Sequence, residues 1–204
     1  MRIVAGKFRG RRLQSPKKRD VRPTSDRVRE AVFSMIAARL PGARVLDLFA
    51  GTGALGLEAL SRGAARAVFV DESGDAIRLI WKNIESCGVK ERAEVLQGPA
   101  AVVLRRLAGK GGGADLFHLA FLDPPYGLGY VEKTMGLLPD LMSQSGLVVA
   151  EHHRRDVLPE RLKDWCLLDQ RRYGDTMISL FVRDKGAGQQ IRKRMIADKV
   201  EKEH

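Results

Sequence analysis

The chain has 204 residues, 44% of them hydrophobic, which is enough for one ample core and ordinary for a soluble globular protein. No stretch approaches the roughly 20 apolar residues of a membrane span, and the basic N-terminus lacks the apolar segment of a signal peptide, so a cytoplasmic protein without a membrane partner is expected. The net charge of +11 points to a polyanionic partner rather than to any particular fold.

That charge is concentrated. Residues 1–30 hold eleven Lys or Arg against three acids, a net +8. Arg2, Lys7, Arg9, Arg11, Arg12, Arg22 and Arg27 are the candidate phosphate contacts of such an arm. A basic tail that only aids solubility would carry the same charge. The two cysteines, Cys87 and Cys166, have no ligand-like spacing, so reduced structural thiols and no metal site are expected.

In chain order, Arg2–Leu13 reads as a short glycine-turned hairpin, with Phe8 and Leu13 as apolar anchors. Pro23-Thr24-Ser25-Asp26 is a helix start. Val28, Ala31, Val32, Met35, Ile36 and Leu40 follow at helical spacing until Pro41-Gly42 stops the run. From residue 43 the pattern alternates. Strands are predicted at 43–49, 65–70, 93–96, 116–122 and 147–150. Helices are predicted at about 53–62, after the cap Ser73, at 100–107, at 129–142 and at 158–164. Residues 165–171 and 177–182 flank Tyr173-Gly174-Asp175-Thr176 and predict an antiparallel hairpin. The expected fold class is therefore α/β and Rossmann-like, a mostly parallel sheet with an antiparallel edge strand. The expected division is a basic hairpin or arm at 1–22, a main domain at 23–183 and a polar tail at 184–204.

Two motifs carry chemistry. The first runs from Asp47 to Leu60 and contains Gly51-x-Gly53-x-x-Gly56 between a strand and a helix. The spacing alone also suits a dinucleotide. However, Asp47 precedes the glycines at the strand end, where it can accept from a ligand ammonium, and Asp71 ends the next strand, where it can accept from ribose hydroxyls. A cofactor with a cationic amino-acid end and a ribose uses both carboxylates. S-adenosylmethionine has that shape.

The second motif is Asp123-Pro124-Pro125-Tyr126, which ends the apolar run 116–122. An exocyclic amine on a nucleobase is a poor nucleophile because its lone pair is delocalised into the ring. Acceptors aimed at its N–H bonds, here the Asp123 carboxylate and the Pro124 carbonyl, help localise that lone pair. The prolines hold the turn, and Tyr126 offers a face for base stacking. Asp123, Pro124 and Tyr126 are thus the candidate catalytic residues.

With these blocks in place, the chain resembles the bacterial 16S ribosomal RNA guanine-N2 methyltransferases that act on guanine 966. The resemblance rests on Arg2–Leu13, the block Arg22–Phe33, Asp47–Leu60, Asp123–Tyr126 and the closing hairpin, which stand in family order over residues 1–183. It implies S-adenosylmethionine as donor, a seven-stranded methyltransferase sheet, and a guanine N2 amine of the small ribosomal subunit, or of its assembly intermediate, as acceptor. By motif match Asp47, Gly51, Gly53 and Asp71 would contact cofactor, with Phe49, Ala100 and Thr24 as further candidates. One position departs: the family has Asn or Asp after the third strand, whereas this chain reads Gln97-Gly98-Pro99-Ala100. Cofactor adenine would then depend on the Ala100 N–H, Gln97 or apolar packing. Two alternatives stay open, an adenine-N6 methyltransferase on RNA or DNA and an inactive nucleic-acid-binding protein of the same fold. A monomer is expected. Trp81 and Trp165 are expected in the core, and His152 and His153 at a solvated strand end.

Overall fold

The computed structural model describes residues 1–16, 26–109 and 116–184; the expectations for Arg22, Thr24 and the tail beyond 184 lie outside them. Eight strands form one sheet in the order β3-β2-β1-β4-β5-β8-β7-β6. Strands β1 (Arg44–Leu48), β2 (Arg66–Asp71), β3 (Ala93–Gln97), β4 (Phe117–Leu122) and β5 (Met142–His153) are mutually parallel. Strand β8 (Thr176–Arg183) runs antiparallel to both β5 and β7 (Trp165–Tyr173). The sheet is mostly parallel, as its alternating sequence predicts. The reversed strand β8 lies inside it rather than at an edge, for a physical reason: Met177–Val182 is apolar but for the buried Ser179 and needs cover on both sides, whereas β7 carries Asp169-Gln170-Arg171-Arg172 and tolerates the outer position.

Successive strand residues point to opposite faces, and each face has its own helices. Helices α1 (Asp26–Met35), α2 (Ala54–Ser61) and α3 (Gly74–Cys87) pack with Val45, Phe69 and Phe121 on one side. Helices α4 (Ala100–Gly109) and α5 (Tyr130–Met135) pack with Leu46, Val70, Ala120 and Leu122 on the other. Each fully buried Leu, Ile or Phe contributes about 1.5–3 kcal/mol of transfer free energy. Ser73 caps α3, its hydroxyl accepting from the Ala76 N–H. Among the described residues no helix is long and apolar enough to cross a membrane.

Three expectations are corrected. The helix predicted over 129–142 ends at Met135, since Pro139 cannot donate to a continuing helix and opens a separate 3-10 turn. The helix predicted over 158–164 is instead a tight turn at Lys163 (φ 53°), flanked by the two-residue β6 (Arg161–Leu162), which pairs with Trp165-Cys166. Leu158 is buried and Leu162 partly so, and Pro159 interrupts the segment between them. Strand β5 is far longer than 147–150: it begins at Met142, which pairs with Phe117 of β4, and continues through His152 and His153, which pair with Met177 and Thr176 of β8.

The N-terminal segment is a hairpin, closed by Ile3 N–H to Arg11 carbonyl (2.9 Å) and Gly10 N–H to Ile3 carbonyl (2.9 Å). Ile3, Phe8 and Leu13 are buried with α1 and α2, while Lys7, Arg9, Arg11 and Arg12 are exposed. The hairpin is fastened by polar groups that local pattern does not reveal. Glu58 of α2, at 0% exposure, accepts the Val4 and Ala5 N–H groups at 2.7 and 2.9 Å. Ser61 Oγ accepts from the Phe8 N–H at 3.0 Å. Buried Asn83 of α3 holds Gln14 on both sides and also donates to the Thr52 carbonyl, tying the hairpin to the glycine loop.

Candidate active site

The C-terminal ends of β1, β2, β4 and β5 lie side by side, and both motifs emerge there. Register places Leu48 beside Val70 and Leu122, and Leu122 beside Ala150. The residues that follow are Phe49, Asp71, Asp123 and Glu151. Crevices outside the carboxyl ends of parallel strands are where open α/β sheets bind ligands.

On the glycine-loop side, Asp47 is 1% exposed and its Oδ2 accepts the Gly56 N–H at 2.9 Å. Burial pushes its carboxyl up to about 7, the Gly56 N–H pulls it down and the Asp71 charge raises it further. Gly56 has no room for a side chain: a Cβ would stand 2.3 Å from the Phe69 ring. Gly51 is left-handed (φ 55°), and a Cβ there would meet nothing closer than 4.0 Å, so the loop turns a bare backbone toward open space. The Gly51 N–H donates to Asp71 Oδ2 at 2.8 Å, and Asp71 Oδ1 accepts from the Ser73 N–H at 2.9 Å. Each carboxylate oxygen can accept more than one donor, so Asp71 can hold its own loop and still receive hydroxyls. Phe49 has positive φ (59°), a costly conformation for a bulky residue. Its ring tilts against Tyr130 at 5.7 Å and links the glycine loop to the start of α5. Gly53 caps α2, and Ala100 opens α4 as a buried residue beside exposed Pro99. Gln97 is exposed and its amide donates to the Glu72 carbonyl at 3.4 Å.

On the other side, Pro124 is buried and Tyr126 is half-exposed over a groove of about 110 Å³ lined also by Leu128, Tyr130, Glu151 and Leu158. The Tyr126 hydroxyl donates to Glu151 Oε1 at 2.9 Å and lies 3.3 Å from Thr176 Oγ1. The His153 ring tilts against the Tyr126 ring at 5.7 Å. Burial, together with the Glu151 and Asp123 charges and against the Thr176 hydrogen bond, raises the phenol well above its ordinary range. Sequence reasoning passes over Glu151 and Thr176 as site residues and expects His153 only at a solvated strand end. Glu151 left one available signal, an acid directly after the apolar run Leu147–Ala150. His152 is not at a solvated end. It is buried, its Nε2 lies 2.8 Å from Ser179 Oγ, and burial lowers its pKa. Trp165 is in the core as predicted, donating to the Met135 carbonyl.

Of the basic candidates, Arg2 pairs with Asp26 at 3.4 Å, and Arg27 is exposed on α1. Arg29 is instead buried, donating to the Arg2 carbonyl and to Asp26. Among the described residues no group of three or more His, Cys, Asp or Glu is arranged to hold a metal ion.

A parallel β3-β2-β1-β4-β5 run, a reversed strand set against β5 and a glycine loop at the tip of β1 form a Rossmann-like fold, one that solved methyltransferases only 14% identical to this chain also have. Within that class the chain belongs to the family described as Conserved hypothetical protein 95, whose model matches residues 1–182. It is 36% identical to YlbH of Bacillus subtilis (strain 168) over 183 residues, covering 89% of this chain and 98% of that one. It is 35% identical to Ribosomal RNA small subunit methyltransferase D of Escherichia coli (strain K12), covering 90% of each. The solved structure of the Escherichia coli protein yhhF superposes with a TM-score of 0.77 at 32% identity, over 90% of this chain and 97% of that one.

Proposed function

We propose that the protein methylates the exocyclic N2 amine of a guanine, guanine 966 of 16S ribosomal RNA, in the small ribosomal subunit or its assembly intermediate, with S-adenosylmethionine as donor. The observation that carries this reading is the adjacency of two strand tips: the Asp71–Gly51 cradle beside β1 and the Asp123–Tyr126 turn after β4. The relative named Ribosomal RNA small subunit methyltransferase D supports the substrate class.

The residues present fit the cofactor. Gly51 offers unobstructed backbone, Asp71 offers acceptors for a ribose, Ala100 opens a helix alongside, and Asp47, Phe49 and Gly53 are the further cofactor contacts of the loop. Thr24 completes this set by family resemblance. When bound, S-adenosylmethionine would supply a sulfonium-activated methyl group to the N2 amine, leaving as the neutral thioether, and the proton that the amine loses would pass to the Asp123 carboxylate.

The chain's own part is positioning. Asp123 and the Pro124 carbonyl accept the amine hydrogens and direct its lone pair outward. Tyr126 stacks the base, worth about 1–3 kcal/mol, and its hydroxyl is tied to Glu151 so the ring does not swing. The prolines fix this turn before substrate arrives. Residues 1–22 act as a phosphate-gripping arm on the 23–183 methyltransferase domain, through Arg2, Lys7, Arg9, Arg11, Arg12 and Arg22, joined by Arg27 of α1, setting register without reading sequence. The protein works as a cytoplasmic monomer.

The test is methylation of undermodified small subunits and of free 16S RNA, with the product base located by mass spectrometry. One N2-methylguanine is expected; a methylated adenine, or no transfer to either substrate, overturns the reading.

A further inference from the structure

Asp123 by itself cannot tell guanine from adenine, because both bases present an exocyclic amine. We propose that Glu151 supplies the discrimination by accepting the N1–H of guanine, an inference that rests on the acceptor pocket proposed above. The pairing of Leu122 with Ala150 makes the next residues, Asp123 and Glu151, neighbours at the ends of adjacent parallel strands, where strands lie about 4.8 Å apart. Glu151 is 7% exposed and lines the same groove as Pro124 and Tyr126. Its Oε1 is fixed by the Tyr126 hydroxyl at 2.9 Å.

A charge buried at the end of an apolar strand is costly, and a neutral amide oxygen can also accept from a phenol, though less strongly. Recognition of two adjacent donors accounts for the charge. Guanine presents N1–H beside its N2 amine, so a carboxylate next to Asp123 meets a second hydrogen. Adenine presents a lone pair at N1 beside its N6 amine, and the same carboxylate meets it with repulsion. Glu151 therefore both attracts the correct base and rejects the wrong one. A complementary base-edge contact of this kind is worth roughly 10- to 100-fold in selectivity.

Glu151→Gln tests this, because the glutamine oxygen still accepts from Tyr126 while its amide N–H can donate to adenine N1. kcat/KM is measured on undermodified small subunits carrying guanine, or by mutation of the ribosomal RNA adenine, at the target position. For E151Q the guanine value is expected to fall and the adenine-to-guanine ratio to rise at least about tenfold over wild type. An unchanged ratio overturns the inference. If E151Q is inactive on both bases, Tyr126→Phe decides, since it removes the hydroxyl that Glu151 holds but keeps both ring and carboxylate. Activity of Y126F within about tenfold of wild type upholds a base contact by Glu151, whereas Y126F as inactive as E151Q assigns the loss to the weakened Tyr126–Glu151 hydrogen bond and overturns the inference. Wild-type protein inactive on guanine-bearing subunits and on free RNA overturns the proposed function itself, and the base contact with it.

Discussion

The Asp47 carboxylate accepts the Gly56 N–H at 2.9 Å from a position almost sealed from solvent. A carboxyl whose folded pKa is about 7, against an ordinary 3.8, makes the native state bind more protons than the unfolded chain between those values. Stability from this group is therefore greatest below about pH 4 and declines as pH rises toward about 7, by on the order of a few kcal/mol. Asp47→Asn keeps an acceptor for Gly56 and removes the titration. Urea unfolding at pH 5 and pH 8 should show the wild-type stability difference shrink in this variant; an equal difference would assign the pH dependence elsewhere.

Asp123→Ala should abolish methyl transfer, by roughly 100-fold or more, while leaving cofactor affinity within a few fold. Asp123 follows β4, whereas the cofactor cradle is built on β1 and β2. Calorimetric titration with S-adenosylmethionine beside single-turnover methylation separates the two effects. Parallel loss of both would remove the amine-directing role.

Tyr126 contributes a ring and a hydroxyl with separable effects. Its phenol is raised above the usual range, so it remains protonated throughout neutral pH, and no basic limb from Tyr126 should appear in the pH–rate profile. Tyr126→Ala should cost more than Tyr126→Phe by about 1–3 kcal/mol of substrate binding, the value of a stacked base. Equal KM values for the two variants would remove the stacking role.

Arg9, Arg11 and Arg12 project from a hairpin whose apolar side is buried. Replacing all three by Ala should lower RNA affinity and reduce the slope of log K against log salt by about 2–3 units, since each lost phosphate contact removes about 0.7–0.9. Binding isotherms across a salt series measure it, and an unaltered slope returns the hairpin to a solubilising role.

Glu58 accepts from Val4, Ala5 and Arg62 while fully buried. Glu58→Ala leaves those donors without their acceptor and should destabilise the fold by about 3–5 kcal/mol. Hydrogen exchange should show the Val4 and Ala5 amides losing protection before β1 and β4 do. Protection lost together with the central strands would mean that the hairpin is not released as a local unit.

Local pattern determined a good deal of this protein. The alternation from residue 43 onward predicts the parallel sheet, the glycines after Asp47 predict the β1–α2 turn, and Asp123–Tyr126 sits at a strand tip in sequence as in space. Phe8 and Leu13 mark the hairpin as something that packs, because an apolar residue in a basic segment needs a core to enter. Tertiary structure alone decided that Glu58 and Asn83 fasten that hairpin, that Asp47 is sealed against Gly56, and that Tyr126 leans on Glu151. It also turned the predicted 158–164 helix into an edge pairing with Trp165-Cys166. Periodicity encodes which face of an element is apolar, through neighbours a few residues apart. Hydrogen bonds between residues 25 to 69 positions apart depend on which strands become adjacent and in what register, and that is settled by burial of whole faces together.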